Sequence, residues 1–160
     1  MDKKVQIFEH ADFGKIRAIE IDGQPWFVGK DVADKLGYSE TNSMVKRLDE
    51  EDFISAKMEG MNMKSVLINE SGLYTAIIGS KLPAAKAFKR WVTSHVLPSI
   101  RRHGAYINEE ILRKMLEDRA FTNQILERLS GEVEKNKELR LYAKENADKA
   151  HYHDMVLLAP

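Results

Sequence analysis

Residues 69–104, NESGLYTAIIGSKLPAAKAFKRWVTSHVLPSIRRHG, constrain this chain more than any other stretch. No acidic residue follows Glu70 there, yet it carries Lys81, Lys86, Lys89, Arg90, Arg101 and Arg102. Pro83 suits the first turn of a helix, where the N–H it lacks would be unpaired anyway. From that start Phe88, Trp91, Val92, His95 and Val96 recur at i, i+3, i+4, i+7 and i+8, one apolar face. Lys86, Lys89, Arg90 and Thr93 repeat on the opposite face. The spacing predicts a helix that pins an aromatic side to a core and turns a basic side outward. His95, sharing the Trp91 side, is expected to be packed. Pro98 is expected to kink or restart the helix, and Gly104 to stop it.

The charge balance matters through its distribution. The 160 residues hold 25 basic and 25 acidic side chains, so net charge selects no partner. All of the acids, however, lie outside residues 71–108. A local basic patch on an otherwise acidic surface is the footprint of a polyanion partner; its plain alternative is a solvated helix face. With no cysteine, disulfides and thiolate metal sites are excluded. No signal peptide or membrane-length apolar run is present, which leads to the expectation of a soluble, cytoplasmic protein.

In chain order, residues 4–8 and 15–21 alternate apolar and polar, as half-buried strands do. Asp22-Gly23 signals a two-residue hairpin turn, and residues 24–28 return as its partner. Pro25 fits only an edge or a strand's first residue. Val32, Ala33 and Leu36 then mark a short helix starting near Asp31 and ending at Gly37. Ser39, Thr41 and Asn42 can cap a second helix carrying Met44, Val45 and Leu48. Helix, glycine turn, helix is the outline of a helix-turn-helix, whose second helix reads base edges from its N-terminal end. The reading residues would be Ser39, Thr41, Asn42 and Ser43, with Lys46 and Arg47 towards phosphate. The acidic run 49–52 is expected on a solvated corner. Residues 53–58 and 63–69 read as a second hairpin with Met58, Met61 and Met63 at or near its tip, flanked by Lys57 and Lys64. Asn69 and Ser71 can cap the next helix, which Gly79-Ser80 ends.

Beyond residue 106 the character changes. Residues 107–143 are charge-rich and lack proline, and Leu112, Met115, Leu126, Leu129 and Val133 fit the a and d positions of one heptad frame. Arg119, Thr122, Asn136 and Arg140 fall in the same seam, so it is leaky. The expectation is a long amphipathic helix that associates copies of the chain; the alternatives are an exposed connector or a helix packed on the domain. Residues 144–160 contain His151, His153 and Asp154, three ligand types in four residues without a fourth, which does not make a metal centre. No phosphate-binding glycine loop, H-E-x-x-H or nucleophile elbow occurs. Neither an enzyme nor a cofactor is expected.

Two segments, GQPWFVGKDVADKLGY and LINESGLYTAIIGSKLPAAKAFKRWVTSHVLPSIRRHGAY, resemble the Bro-N domain of phage antirepressor and baculovirus-repeated-ORF proteins. The likeness covers roughly residues 5–106. The tail ENADKAHYHDMVLL is similar to the opening of the KilA-C type C-terminal antirepressor domain. His95 departs from the many relatives that carry glutamate before V-L-P, and no role is carried onto it. The resemblance implies an α+β DNA-binding fold of small antiparallel hairpins, a helix-turn-helix-like pair and packed helices for residues 1–106. A helical oligomerisation segment at 107–143 would follow, then the truncated start of a second domain at 144–160. It further implies a role in the lysis–lysogeny switch, by binding double-stranded DNA or by binding a phage repressor protein without contacting DNA.

Overall fold

The structure is a computed structural model that describes residues 6–10, 14–57 and 63–157. The chain divides into two compact units, Met1–Tyr106 and Ile107–Pro160. The first is α+β. Strands β1 (Gln6–His10), β2 (Gly14–Ile21), β3 (Gln24–Val28), β4 (Phe53–Lys57) and β5 (Lys64–Ile68) form one antiparallel sheet in the order β1-β2-β3-β5-β4. Asp22 and Gly23 close the β2–β3 hairpin with φ of 52° and 74°, the left-handed pair a two-residue hairpin requires. Residues 4 and 5, expected in the first strand, lie outside the described residues. The tip at 58–62 lies outside the described residues; Met63 beside it is exposed.

Strand alternation sorts the side chains onto two faces. Ile16, Ala18, Phe27 and Ile68 point to the helical side, where Val32, Ala33, Leu36, Met44, Leu73, Ala76 and Ile77 complete the main core. Ile19, Val28 and Leu67 form a smaller cluster on the other face with Trp26 and Ile54. Pro25 is tolerated inside a central strand for a geometric reason. Ile21 and Gln24 flank the turn as a hydrogen-bonded pair, so the nitrogen of Pro25 faces away from β2. On that side β5 reaches only Phe27 and Val28, and no ladder bond is lost.

Helix α1 (Gly29–Lys35) follows β3 directly. Asp31 in its first turn extends the sheet ladder. Beyond the pair Ala18–Phe27 the chain of β3 turns into α1, and the Arg17 amide donates instead to the Asp31 carboxylate at 3.1 Å. The Arg17 guanidinium grips the same carboxylate with bonds of 2.8 and 2.7 Å. Asp31 is therefore not the solvated surface acid its position suggests. α2 (Thr41–Val45) and a 3-10 turn (Glu50–Asp52) lead into β4, and α3 (Glu70–Gly79) follows β5, capped by the Asn69 side chain accepting from the Gly72 amide at 2.8 Å. α4 (Pro83–Trp91) passes through a π turn (Val92–Val96) into α5 (Leu97–His103). Proline has no N–H for the usual i−4 carbonyl, and the wide turn, closed by Leu97 N–H on the Val92 carbonyl, ends just before Pro98. It also overturns one expectation: the extra residue rotates His95 into solvent, whereas Val96 stays only partly exposed.

In the second unit, α6 (Glu109–Glu117) and α7 (Arg119–Leu157) are separate helices, not the single one expected from residue 107. Asp118 leaves helical geometry and its carboxylate accepts from the amides of Ala120 and Phe121 at 2.8 and 3.1 Å. Thr122 donates to the Met115 carbonyl at 2.6 Å. The long helix runs on past residue 143 without a break.

The Arg17–Asp31 clasp should register in an acid titration. Its hydrogen bonds from Arg17 hold the Asp31 carboxyl below its ordinary pKa. A depressed folded pKa contributes stability above the unfolded value and loses it as pH falls through the folded one. Asp31→Asn should cost about 1 kcal/mol at neutral pH by urea unfolding. The difference from wild type should shrink below about pH 4. A constant difference down to acid pH would exclude this role.

Candidate nucleic-acid interface

The site is built on the corner where α1 ends. Gly37 sits at φ +73°, and a Cβ there would lie 3.1 Å from Leu82, so the turn needs glycine both for its backbone and for the approach of the α3–α4 connection. Three side chains then tie the pieces together. The Tyr38 hydroxyl donates to the Ala76 carbonyl at 2.7 Å. Buried Ser80 donates to the Leu36 carbonyl at 2.7 Å and accepts from the Leu82 amide at 3.2 Å. Arg47 lies 5.7 Å from the centre of the Tyr38 ring, with a long 3.5 Å bond to the Gly79 carbonyl at the end of α3. Burial raises the Tyr38 pKa, only partly opposed by Arg47. Arg47, read from the sequence as a phosphate contact, is here also a clamp between the α1–α2 corner and the α3–α4 junction.

α2 differs from the expected reading helix. Five residues at about 1.5 Å each make it roughly 7.5 Å long, one turn and a little more. Its N-cap is Glu40, with no side-chain cap from Ser39, Thr41 or Asn42; Ser43 instead donates back to the Glu40 carbonyl at 2.7 Å. Met44 is fully buried, and buried Leu48 falls beyond the helix end. Ser39, Asn42, Lys46 and Arg47 are exposed, Thr41 and Ser43 partly so. Only the N-terminal end of so short a helix can meet base edges, and Glu40 stands in that set as an acid.

The cations of α4 are presented as the periodicity predicts. Ala85 is fully buried, whereas Lys86, Lys89 and Arg90 are exposed. Among the described residues none of them forms an ion pair. Arg101 and Arg102 on α5 are exposed too, with Arg102 Nε donating to the Pro98 carbonyl of its own helix at 3.2 Å. The π turn lies between the two groups, so Arg101 and Arg102 do not continue the α4 repeat. Asp49, Glu50 and Glu51 keep to an exposed corner, but Asp52 turns inward, only 7 % exposed, accepting from Ser71 at 3.3 Å.

Of the proposed association residues, Leu112 and Met115 are on α6 and Leu126, Leu129 and Val133 on α7. Met115 is partly buried, as are Phe121, Thr122 and Ile125 along the α6–α7 contact. The three α7 residues are each about half exposed. The opposite side of α4 differs from the closed core its spacing suggests. Trp91 keeps 43 % of its surface and stands in a ladder of rings: Tyr74–Phe88 at 6.4 Å, Phe88–Trp91 at 5.7 Å and Trp91–Tyr106 at 5.7 Å. Together with α3 and β3 it walls an open groove. Among the described residues no group of acids and histidines is placed to hold a metal ion, and no helix is long and apolar enough to cross a membrane.

Known proteins share the sequence of this domain. Residues 15–98 match the family model of Bro-N, the BRO family N-terminal domain. Bro-N domain-containing protein 289L of Invertebrate iridescent virus 6 is 31% identical over 144 residues, 77% of this chain and 34% of that protein. Protein 201R of the same virus, also named for a Bro-N domain, is 28% identical over 83% of this chain and 36% of its own length. An uncharacterized protein of Haemophilus influenzae is 33% identical over 87 residues, 52% of this chain and 43% of that protein. The chain thus spans about a third of the length of the two viral relatives. No solved structure matches. With more than half of its residues inside the family match, the chain belongs to the BRO family by its N-terminal domain.

Proposed function

We propose that residues 1–106 bind double-stranded DNA and that the chain serves as an antirepressor in the phage lysis–lysogeny switch. The observation that carries this reading is the exposed, acid-free basic face of α4, joined to the α1–α2 corner through Ser80 and Leu36. Lys86, Lys89, Arg90, Arg101 and Arg102 neutralise phosphates, as do Lys46 and Arg47 after α2. Ser39, Thr41, Asn42 and Ser43, at the N-terminal end of α2, touch base edges. Phosphate contacts position a protein and base contacts specify the sequence. With a reading helix of one turn, most of the affinity is electrostatic and not strongly sequence-selective. The lysis–lysogeny role comes from the family likeness.

A second reading is favoured by the groove behind α4. An exposed apolar surface of this kind marks a protein contact more often than a DNA contact, which fits a module that binds and inactivates a phage repressor. In either case α7 offers Leu126, Leu129 and Val133 as a seam for a second copy of the chain.

The first reading predicts salt-dependent binding in fluorescence-anisotropy titrations with random and phage-operator duplexes. Lys89→Glu/Arg90→Glu should weaken it, and removing each cation that meets a phosphate should reduce the slope of log affinity against log salt by about 0.9. A folded double variant with unchanged binding and slope would refute the assignment. For self-association, light scattering should give a multiple of the chain mass, reduced to one by Leu129→Glu. A wild-type monomer at high concentration would rule the seam out.

A further inference from the structure

The groove behind α4 has two parts that share Pro25 and Glu70. One is an apolar slot of about 620 Å³, bounded by Phe27 and Leu73 below and by Tyr74, Phe88, Trp91 and Val96 along its walls. The other is an annex of about 360 Å³ that adds the polar side chains of Asp22, Gln24 and Asn69 beside Ile21 and Trp26. The slot is the size of sites that take large apolar side chains. Among the described residues no lysine or arginine lines either part, while two carboxylates, Asp22 and Glu70, stand at the annex. One Glu70 oxygen accepts from the Tyr74 hydroxyl at 2.7 Å, which fixes the carboxylate at the junction of slot and annex and pushes the Tyr74 pKa up to about 12. Tyr74 accordingly stays a neutral donor at physiological pH.

We propose that this groove docks a segment of a partner protein in which a large aliphatic or aromatic side chain enters the slot and a neighbouring lysine or arginine meets Asp22 and Glu70. Charge complementarity selects that occupant. A polyanion such as DNA would face two carboxylates with no cation among the described lining residues, and an acidic peptide would do the same. The proposal deepens the second of the two readings above. It is independent of the first, because Lys86, Lys89 and Arg90 are on the other side of α4. It also gives the exposed Trp91 a reason: half-exposed tryptophan is a costly surface residue and a frequent anchor of protein interfaces.

The test is to pan a random-peptide display library on the whole 160-residue chain and titrate the labelled synthetic consensus peptide. Selected peptides should pair a large apolar residue with a lysine or arginine. Trp91→Ala should weaken the consensus peptide roughly thirtyfold, as loss of an interface anchor does. Asp22→Asn with Glu70→Gln, which keeps the Tyr74 contact, should weaken it roughly two- to fivefold, the scale of exposed charge pairs. DNA titrations of the same variants should match wild type, so failure of the DNA reading and failure of this one are seen separately. No selected consensus, an acidic consensus, or binding indifferent to Trp91→Ala would overturn the proposal. So would self-association of the chain that disappears in Trp91→Ala, which would make the occupant a second copy.

Discussion

The hydroxyl of Ser80 is the joint on which the candidate DNA face depends. It satisfies the orphan carbonyl at the end of α1 and the amide that opens the turn into α4, both inside the fold. A buried hydroxyl with both capacities used fixes direction as well as distance. Around it Gly37 admits Leu82, and Tyr38 closes on Ala76. The basic helix is consequently set against the helix pair by hydrogen bonds rather than by shape alone. The end of α1 and the start of α4, distant in sequence, are thereby held to one another.

Much of this arrangement can be read directly from residues. Period-two alternation places Ile16, Ala18, Phe27 and Ile68 on one face of the sheet, and Asp22-Gly23 fixes the register of the hairpin. The basic face of α4 follows from 3.6-residue spacing alone, because no other element has to be known for Lys86, Lys89 and Arg90 to point away from Ala85. Where spacing fails, a specific bond intervenes. The π turn before Pro98 adds a residue and sends His95 outward. Asp118 caps α7 and divides what spacing presents as one helix. Asp31 reads from the sequence as an ordinary acid near the start of a helix; its role appears only when β3 ends and leaves the Arg17 amide to it. The groove is legible in part, as an aromatic stripe, but periodicity cannot tell a stripe that closes on a core from one that leaves a channel.

The short α2 changes how specificity must be shared. A helix that lies along a groove can offer several side chains to successive bases; one turn cannot. The rest of the domain supplies charge at α4 and α5 and a pair of facing lysines, Lys57 and Lys64, at the end of the β4–β5 ladder. Like charges directly opposite on a sheet repel each other. Neutralisation by an anion would relieve that repulsion, as it would for the α4 cluster. Under the DNA-binding proposal, sequence preference would then rest on the shape of the phosphate backbone as well as on base edges.

One rigid helix, α4, forms a wall of two different surfaces: its cations face one way while Phe88 and Trp91 face the groove. Any tilt or shift of α4 that accommodates an occupant on the aromatic side also moves the cations on the other. Linkage is reciprocal, so whatever factor a groove occupant imposes on polyanion affinity, the polyanion imposes on the occupant. With the two proposed partners on opposite faces of one helix, any coupling between them would run through α4 itself.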